Sequence, residues 1–183
     1  GLPIGGVLAT DNAVIPYGVG VDIGCRMSLS VYDLPASFLK GKSHQLIQIL
    51  QDQTKFGMYE THKLKADHEI FERSIFDEIP ILKSLKTKAY QQLGTSGGGN
   101  HFVEFGIVKL DEVKTEWKLI KGEYLAVLSH SGSRGLGANI AKHYTYLAAK
   151  QCPLPKQVQH LAWLDLDTHD GQEYWAAMNL AGD

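Results

Sequence analysis

The sequence predicts an α+β fold, with mixed sheets and packed helices. Two observations carry this. Short period-two runs of apolar residues are separated by longer stretches with helical spacing, and the two kinds alternate irregularly rather than in repeated βαβ units. No internal repeat or low-complexity linker interrupts them, and 44% hydrophobic content over 183 residues suffices for a sizeable core.

Taken in chain order, residues 7–15 are a candidate first strand. MSLSVY, residues 27–32, alternates apolar with small polar side chains as a half-buried strand does. Between residues 36 and 56, Leu39, Ile47, Leu50 and Phe56 are spaced for one face of a helix. Residues 70–93 predict two further helices divided at Pro80, whose ring is tolerated at a helix start but not inside one. HFVEFGIVKL (101–110) has strand periodicity, DEVKTEWK (111–118) is a polar excursion, and YLAVLS (124–129) is a buried strand. A helix is expected from about Leu136 to Lys150. A terminal helix is expected from near Gly171, with Asp170 and Glu173 as a capping box.

Composition narrows the function classes. With 18 basic and 20 acidic residues the formal net charge is −2, so no general attraction for a polyanion exists and any nucleic-acid contact must be local. No apolar run is long enough to span a membrane. The opening GLPIGGVLATDN lacks the charged and apolar regions of a signal peptide, and a cytoplasmic location is expected. The two cysteines, Cys25 in a glycine-rich loop and Cys152 before a proline, do not suggest a disulfide framework. Both ends are expected to be internal to a longer polypeptide, since the chain opens without methionine and closes on AAMNLAGD, part-way through a helix.

Three segments share one grammar, glycines beside metal-ligand side chains at strand ends: GVGVDIGCR, GTSGGGNHF and SHSGSRGLG. Glycine permits positive φ and close approach of the backbone to a ligand, and its N–H groups can line an anion-binding concavity. Asp22 and Cys25 are three residues apart, so a tight turn can aim a carboxylate and a thiolate at one centre. Asn100 and His101 follow Gly97, Gly98 and Gly99, which also suits an ordinary β-turn. His130 ends the buried strand. Ser131, Ser133 and Arg134 then precede a helix whose N-terminus favours anions, although Arg134 alone would read as a surface charge. His44, His62, His68, His143, His160, His169 and Cys152 lack this context and are expected to be structural. On ligand softness alone the donor set suggests zinc.

YGVGVDIGCR (17–26), GTSGGGNHFVE (94–104) and HSGSRGLG (130–137), in that order, resemble the RtcB family of RNA ligases, and HDGQEYWAAMNLA (169–181) is similar to its downstream helix. The resemblance implies that residues 1–183 are the internal portion of a single catalytic domain with the family's α+β fold. It implies an enzyme that uses GTP and two Mn²⁺ ions to join RNA 3′-phosphate or 2′,3′-cyclic phosphate ends to 5′-hydroxyl ends, including those of tRNA halves, in tRNA splicing and RNA repair. An activating protein is a possible further partner. Asp22, Cys25 and His101 would hold one ion, and Cys25 and His130 a second. Asn100, His101, Phe102, Val103 and Glu104 would form the nucleotide-binding stretch, with Glu104 accepting from guanine N1–H and N2–H. The family's PDAHxG segment, a later metal histidine and the guanylylated histidine are not in this sequence. No catalytic residue is therefore assigned, and the chain alone is not expected to complete ligation. Ser96 stands where family members often carry an apolar residue, a change expected to be harmless. Two other readings stay open: a non-catalytic module binding metal or guanine nucleotide, and a zinc-dependent phosphoesterase, since the same donors could activate water.

Overall fold

The structure, a computed structural model, describes residues 5–62 and 67–183. Seven α-helices stand among the described residues: α1 (Pro16–Val19), α2 (Ser37–Gly41), α3 (Ser43–Gln53), α4 (Ile75–Glu78), α5 (Pro80–Gln92), α6 (Arg134–Gln151) and α7 (His169–Gly182). Five strands accompany them: β1 (Ala13–Val14), β2 (Arg26–Pro35), β3 (Phe102–Leu110), β4 (Gly122–Ser131) and β5 (Leu164–Asp165). The fold is α+β, and both of its sheets are antiparallel. The first four residues of the opening GLPIGGVLATDN lie outside the described part.

The chain divides into two compact units. One is helical and comprises the described residues of Gly1–Cys25, Thr61–Leu93 and Gly132–Asp183. Its core is formed by Phe76 on α4, Leu82 on α5, Ile140 and Tyr144 on α6, Leu164 on β5 and Tyr174 on α7, each at most 1% exposed. Pro80 occupies the first turn of α5, where its missing N–H costs nothing, and Ile79 is the N-cap, so the predicted division at Pro80 is present. Residues 69–72 add a short 3₁₀ turn ahead of α4. The first predicted strand shrinks to β1, which pairs with β5; Val7 is 98% exposed, because only residues 13 and 14 find a partner strand.

The terminal helix begins at His169, two residues earlier than expected. Its N-cap is Thr168, whose Oγ1 accepts from the Gly171 N–H at 3.2 Å. The expected capping box is therefore not formed. Asp170 instead accepts from Gln151 Nε2, and Glu173 accepts from the buried Tyr144 hydroxyl at 3.2 Å. A threonine in extended conformation one residue ahead of the helix caps its first turn, leaving both carboxylates to bind α6.

Tyr144 and Tyr174 pack with ring centroids 5.2 Å apart. Burial pushes both hydroxyls well above the ordinary tyrosine range, and the carboxylates of Glu173 and Asp170 add to the shift at Tyr144. An acid whose folded pKa is raised keeps its proton longer in the native state. The stability it contributes is present below the unfolded value of about 10 and is lost as pH rises beyond it. Urea midpoints are thus expected to fall as pH is raised through about 10 to 11. The Tyr174 hydroxyl has no hydrogen-bond partner among the described residues. Tyr174→Phe is therefore expected to leave neutral-pH stability unchanged or higher and to flatten the alkaline fall; an unaltered slope would refute the assignment.

The other unit comprises Arg26–Glu60 and Gly94–Ser131, a three-stranded sheet in the order β2-β4-β3 with α2 and α3 packed on β3. The predicted long helix is broken at Lys42, and the residue it buries is Leu46, at 5% exposure. Ile47 is 56% exposed, because the break resets the helical phase. Phe56 lies beyond the helix in an isolated bridge to Gly97. The strand begun by MSLSVY forms as expected but is not half-buried: Met27, Leu29, Tyr32 and Leu34 are all exposed. Being at the sheet's edge, β2 gains a neighbour on one side alone among the described strands.

Candidate functional site

In an antiparallel ladder, directly opposed residues point to the same face. The register therefore defines what the sheet presents: Met27 and Phe102 flank His130 from either side, and Leu29 and Glu104 flank Leu128. Phe102, Glu104 and His130 share one face near one end of the sheet. The same face closes at the far end in a small apolar cluster of Val31, Val108, Leu110, Leu119 and Tyr124. The alternation seen in HFVEF thus serves both roles at once, packing distally and displaying a ring and a carboxylate proximally.

His101 immediately precedes β3. Its ring lies edge-on to that of His130, with centroids 5.3 Å apart and an interplanar angle of 89°. Phe102 makes a second edge contact with His130, at 5.6 Å. His130 Nδ1 is 3.2 Å from the Asn100 carbonyl oxygen, so the main chain of the second loop helps to orient this imidazole. That loop turns sharply enough to do so because Gly94, Gly97 and Gly99 take positive φ. It is pinned where Ser96 and Gly97 meet the preceding segment: the Ser96 N–H donates to the Lys55 carbonyl at 2.8 Å, and the Gly57 N–H donates to that of Gly97 at 2.8 Å. Ser96 is buried, and its backbone rather than its side chain accounts for its place here.

Asp22 is arranged in the helical unit. Its Oδ1 accepts from the Ser133 N–H at 2.8 Å and from the Ser133 hydroxyl at 3.0 Å. Ser133 is the N-cap of α6, so the carboxylate sits where exposed amide groups and the helix dipole favour negative charge. The fit is close: a Cβ on Gly137 would lie 1.9 Å from Ser133 Oγ, and one on Gly24 would lie 2.5 Å from the Ala181 carbonyl oxygen on α7. Arg134 follows with φ of 55°, a left-handed conformation unusual for a side chain of its size. Burial pulls its guanidinium below the ordinary value, while the carboxylate of Asp22 acts in the opposite direction. Arg134 is thus a half-buried neighbour of Asp22 rather than a solvated surface charge.

The sequence candidates therefore fall into two groups. The sheet unit brings together Asn100, His101, Phe102 and His130, with Val103 on the opposite face of β3 and Glu104 exposed on the His130 face. The helical unit brings together Asp22, Ser133 and Arg134. Cys25 forms no disulfide among the described residues and is the last residue before β2; its peptide neighbour Arg26 pairs with Ser131, next to His130. Of the histidines expected to be structural, His160 packs edge-on to Tyr17 at 4.6 Å, and His169 lies 3.7 Å from Glu173. Cys152 packs against the helical core. Sequence reasoning did not assign Ser133 its role of holding Asp22; its place just ahead of a helix was the signal available.

The sheet unit thus holds an edge-on pair of imidazoles, and the helical unit an ordered carboxylate, each in a glycine-rich segment. The family model described as tRNA-splicing ligase RtcB matches residues 1–79 and 76–183, and the chain belongs to that family. It is 30% identical to "tRNA-splicing ligase RtcB" of Aeropyrum pernix over 99% of this chain and 46% of that protein. It is 32% identical to "RNA-splicing ligase RtcB" of Escherichia coli strain K12 over 82% of this chain and 38% of that protein. With "tRNA-splicing ligase RtcB" of Thermococcus kodakarensis the identity is 27%, over 99% of this chain and 45% of that protein. The chain spans less than half the length of these curated relatives. No helix among the described residues is long and apolar enough to cross a membrane.

Proposed function

We propose that this chain supplies much of the metal- and guanine-nucleotide-binding part of an RNA ligase that joins 3′-phosphate or 2′,3′-cyclic phosphate ends to 5′-hydroxyl ends with GTP and Mn²⁺. The observation that carries this reading is the pairing of His101 with His130, rings 5.3 Å apart, at the end of the sheet where Phe102 and Glu104 are also displayed. Imidazole nitrogens and carboxylates suit a borderline-hard divalent cation. In this reading His101, His130, Asp22 and Cys25 are the protein ligands of two ions, which would supply charge neutralisation at a triphosphate and at the attacking and leaving oxygens. Cys25 is tied to the imidazole end of the sheet by chain continuity, one residue ahead of the Arg26–Ser131 pair.

The protein's own groups have definite tasks here. Asn100 binds a phosphate oxygen. Glu104, a fixed acceptor on an exposed strand position, takes the N1–H and N2–H of guanine, and Phe102 offers that base an apolar edge. Ser133 holds Asp22 in one orientation so that the carboxylate need not be ordered when a cation arrives. The substrate is RNA, tRNA halves included, and the location cytoplasmic.

Calorimetric titration of the chain with Mn²⁺, followed by GTP in the presence of Mn²⁺, tests the reading. Mn²⁺-dependent GTP binding that Glu104→Gln weakens is expected, on the order of 10-fold for one lost charged hydrogen bond. GTP binding indifferent to both metal and Glu104 would overturn it. Release of phosphate from a phosphomonoester with Zn²⁺ and no GTP would favour a phosphoesterase instead.

A further inference from the structure

An open groove of about 900 Å³ in the helical unit lies between α1, α6 and the segment of Lys156, Gln159 and His160. It includes neither the imidazole pair nor the Asp22 carboxylate. Three ring-bearing residues, Tyr17, Tyr146 and His160, line it, together with Lys142, Lys156 and Asn139. Tyr146 is 58% exposed, and Lys150 reaches over its ring at 4.5 Å, bringing a third positive charge to the rim. Tyr17 and His160 brace each other edge to face at 4.6 Å.

None of the residues lining the groove is Asp or Glu. In a chain with formal net charge −2, a recess lined by two lysines and no carboxylate is a local exception. The nearest acid in sequence, Asp22, is engaged by Ser133. Alternating rings and ammonium groups in an open channel are the two components of single-strand recognition: bases stack on the rings, and phosphates run along the positive charges.

We propose that this groove takes a short single-stranded stretch of RNA, holding the strand away from the end to be joined. Only the choice of RNA over another polyanion rests on the ligase reading. The groove is too open to enclose one small molecule. The intervening small residues Ala138, Ala141 and Ala149 leave room for flat bases to approach α6. An acidic peptide would satisfy the lysines and leave the exposed ring of Tyr146 unused.

The test is fluorescence anisotropy of a labelled oligouridylate of about eight nucleotides with the chain in chelator and without GTP, so that metal or nucleotide binding elsewhere contributes nothing. Lys142→Gln with Lys156→Gln is expected to weaken binding roughly 10-fold and to lower the slope of log affinity against log salt by about 1.4, as loss of two phosphate contacts to a single strand requires. Tyr146→Ala is expected to weaken binding roughly 10-fold with little change in that slope. Lys142→Arg with Lys156→Arg should bind as the parent does. Lys142 and Tyr146 are exposed, so matching urea midpoints are expected and will separate lost binding from lost fold. Absence of binding by the parent at low salt, equal affinity of all variants, or displacement by polyglutamate as readily as by RNA would each overturn the proposal. The outcome does not depend on whether the imidazole pair holds a cation.

Discussion

His130→Ala is expected to reduce the affinity of the chain for Mn²⁺ by about 100-fold or more, and with it any Mn²⁺-dependent GTP binding. Loss of a partner that merely orients a metal ligand costs about 10- to 100-fold, and removal of the ligand itself costs at least as much. The fold should tolerate the change. His130 is half-buried at the end of β4, its Nδ1 contact to Asn100 is a 3.2 Å interaction with a loop carbonyl, and its strand stays paired on both sides. Calorimetry with Mn²⁺ beside a urea melt separates the two quantities. Undiminished Mn²⁺ affinity in a folded His130→Ala protein would remove His130 from the ligand set.

The largest loss of stability is expected from Phe76→Ala, about 3 to 5 kcal/mol, the range for deleting a fully buried aromatic ring. Phe76 is 1% exposed on a helix of four residues, too short to hold together by its own hydrogen bonds. Its ring sits 5.7 Å from that of Phe71, and Lys86 lies over it at 5.5 Å. The position of α4 thus depends on that side chain. With domain stabilities of about 5 to 15 kcal/mol, such a loss takes a large share of the total. A urea midpoint shifted by less than the equivalent of about 1 kcal/mol would mean that the cavity collapses or that α4 contributes little.

How much of this was legible beforehand varied with the kind of signal. HFVEFGIVKL became β3 because its period-two pattern gives one apolar face, and YLAVLS became β4 because a short continuous apolar run suits the central strand of a sheet. Pro80 and the α6 run were equally clear, since one depends on a missing N–H and the other on a long helical spacing. The capping of α7 was misread because Thr168 and Asp170 are both good caps by composition. The preference of Asp170 for Gln151, on a helix distant in sequence, is not a local property. The break at Lys42 was signalled by Gly41, a common helix stop, but the apolar spacing of Leu39, Ile47 and Leu50 runs across it as if the helix were continuous.

The site followed the same division. By itself the sequence determined the candidate donor residues, the three glycine-rich segments that carry them, and membership of the RtcB family, because these depend on residue type and short spacing. Only the tertiary structure decided that Phe102, Glu104 and His130 share a face, since a shift of one residue in the β3–β4 register would have turned Phe102 and Glu104 away from His130. It alone decided, too, that Ser133 meets Asp22, across 111 positions of chain. Pairings at such distances are selected by how the strands and helices bury their apolar faces together, a balance summed over the whole fold and written in no single segment.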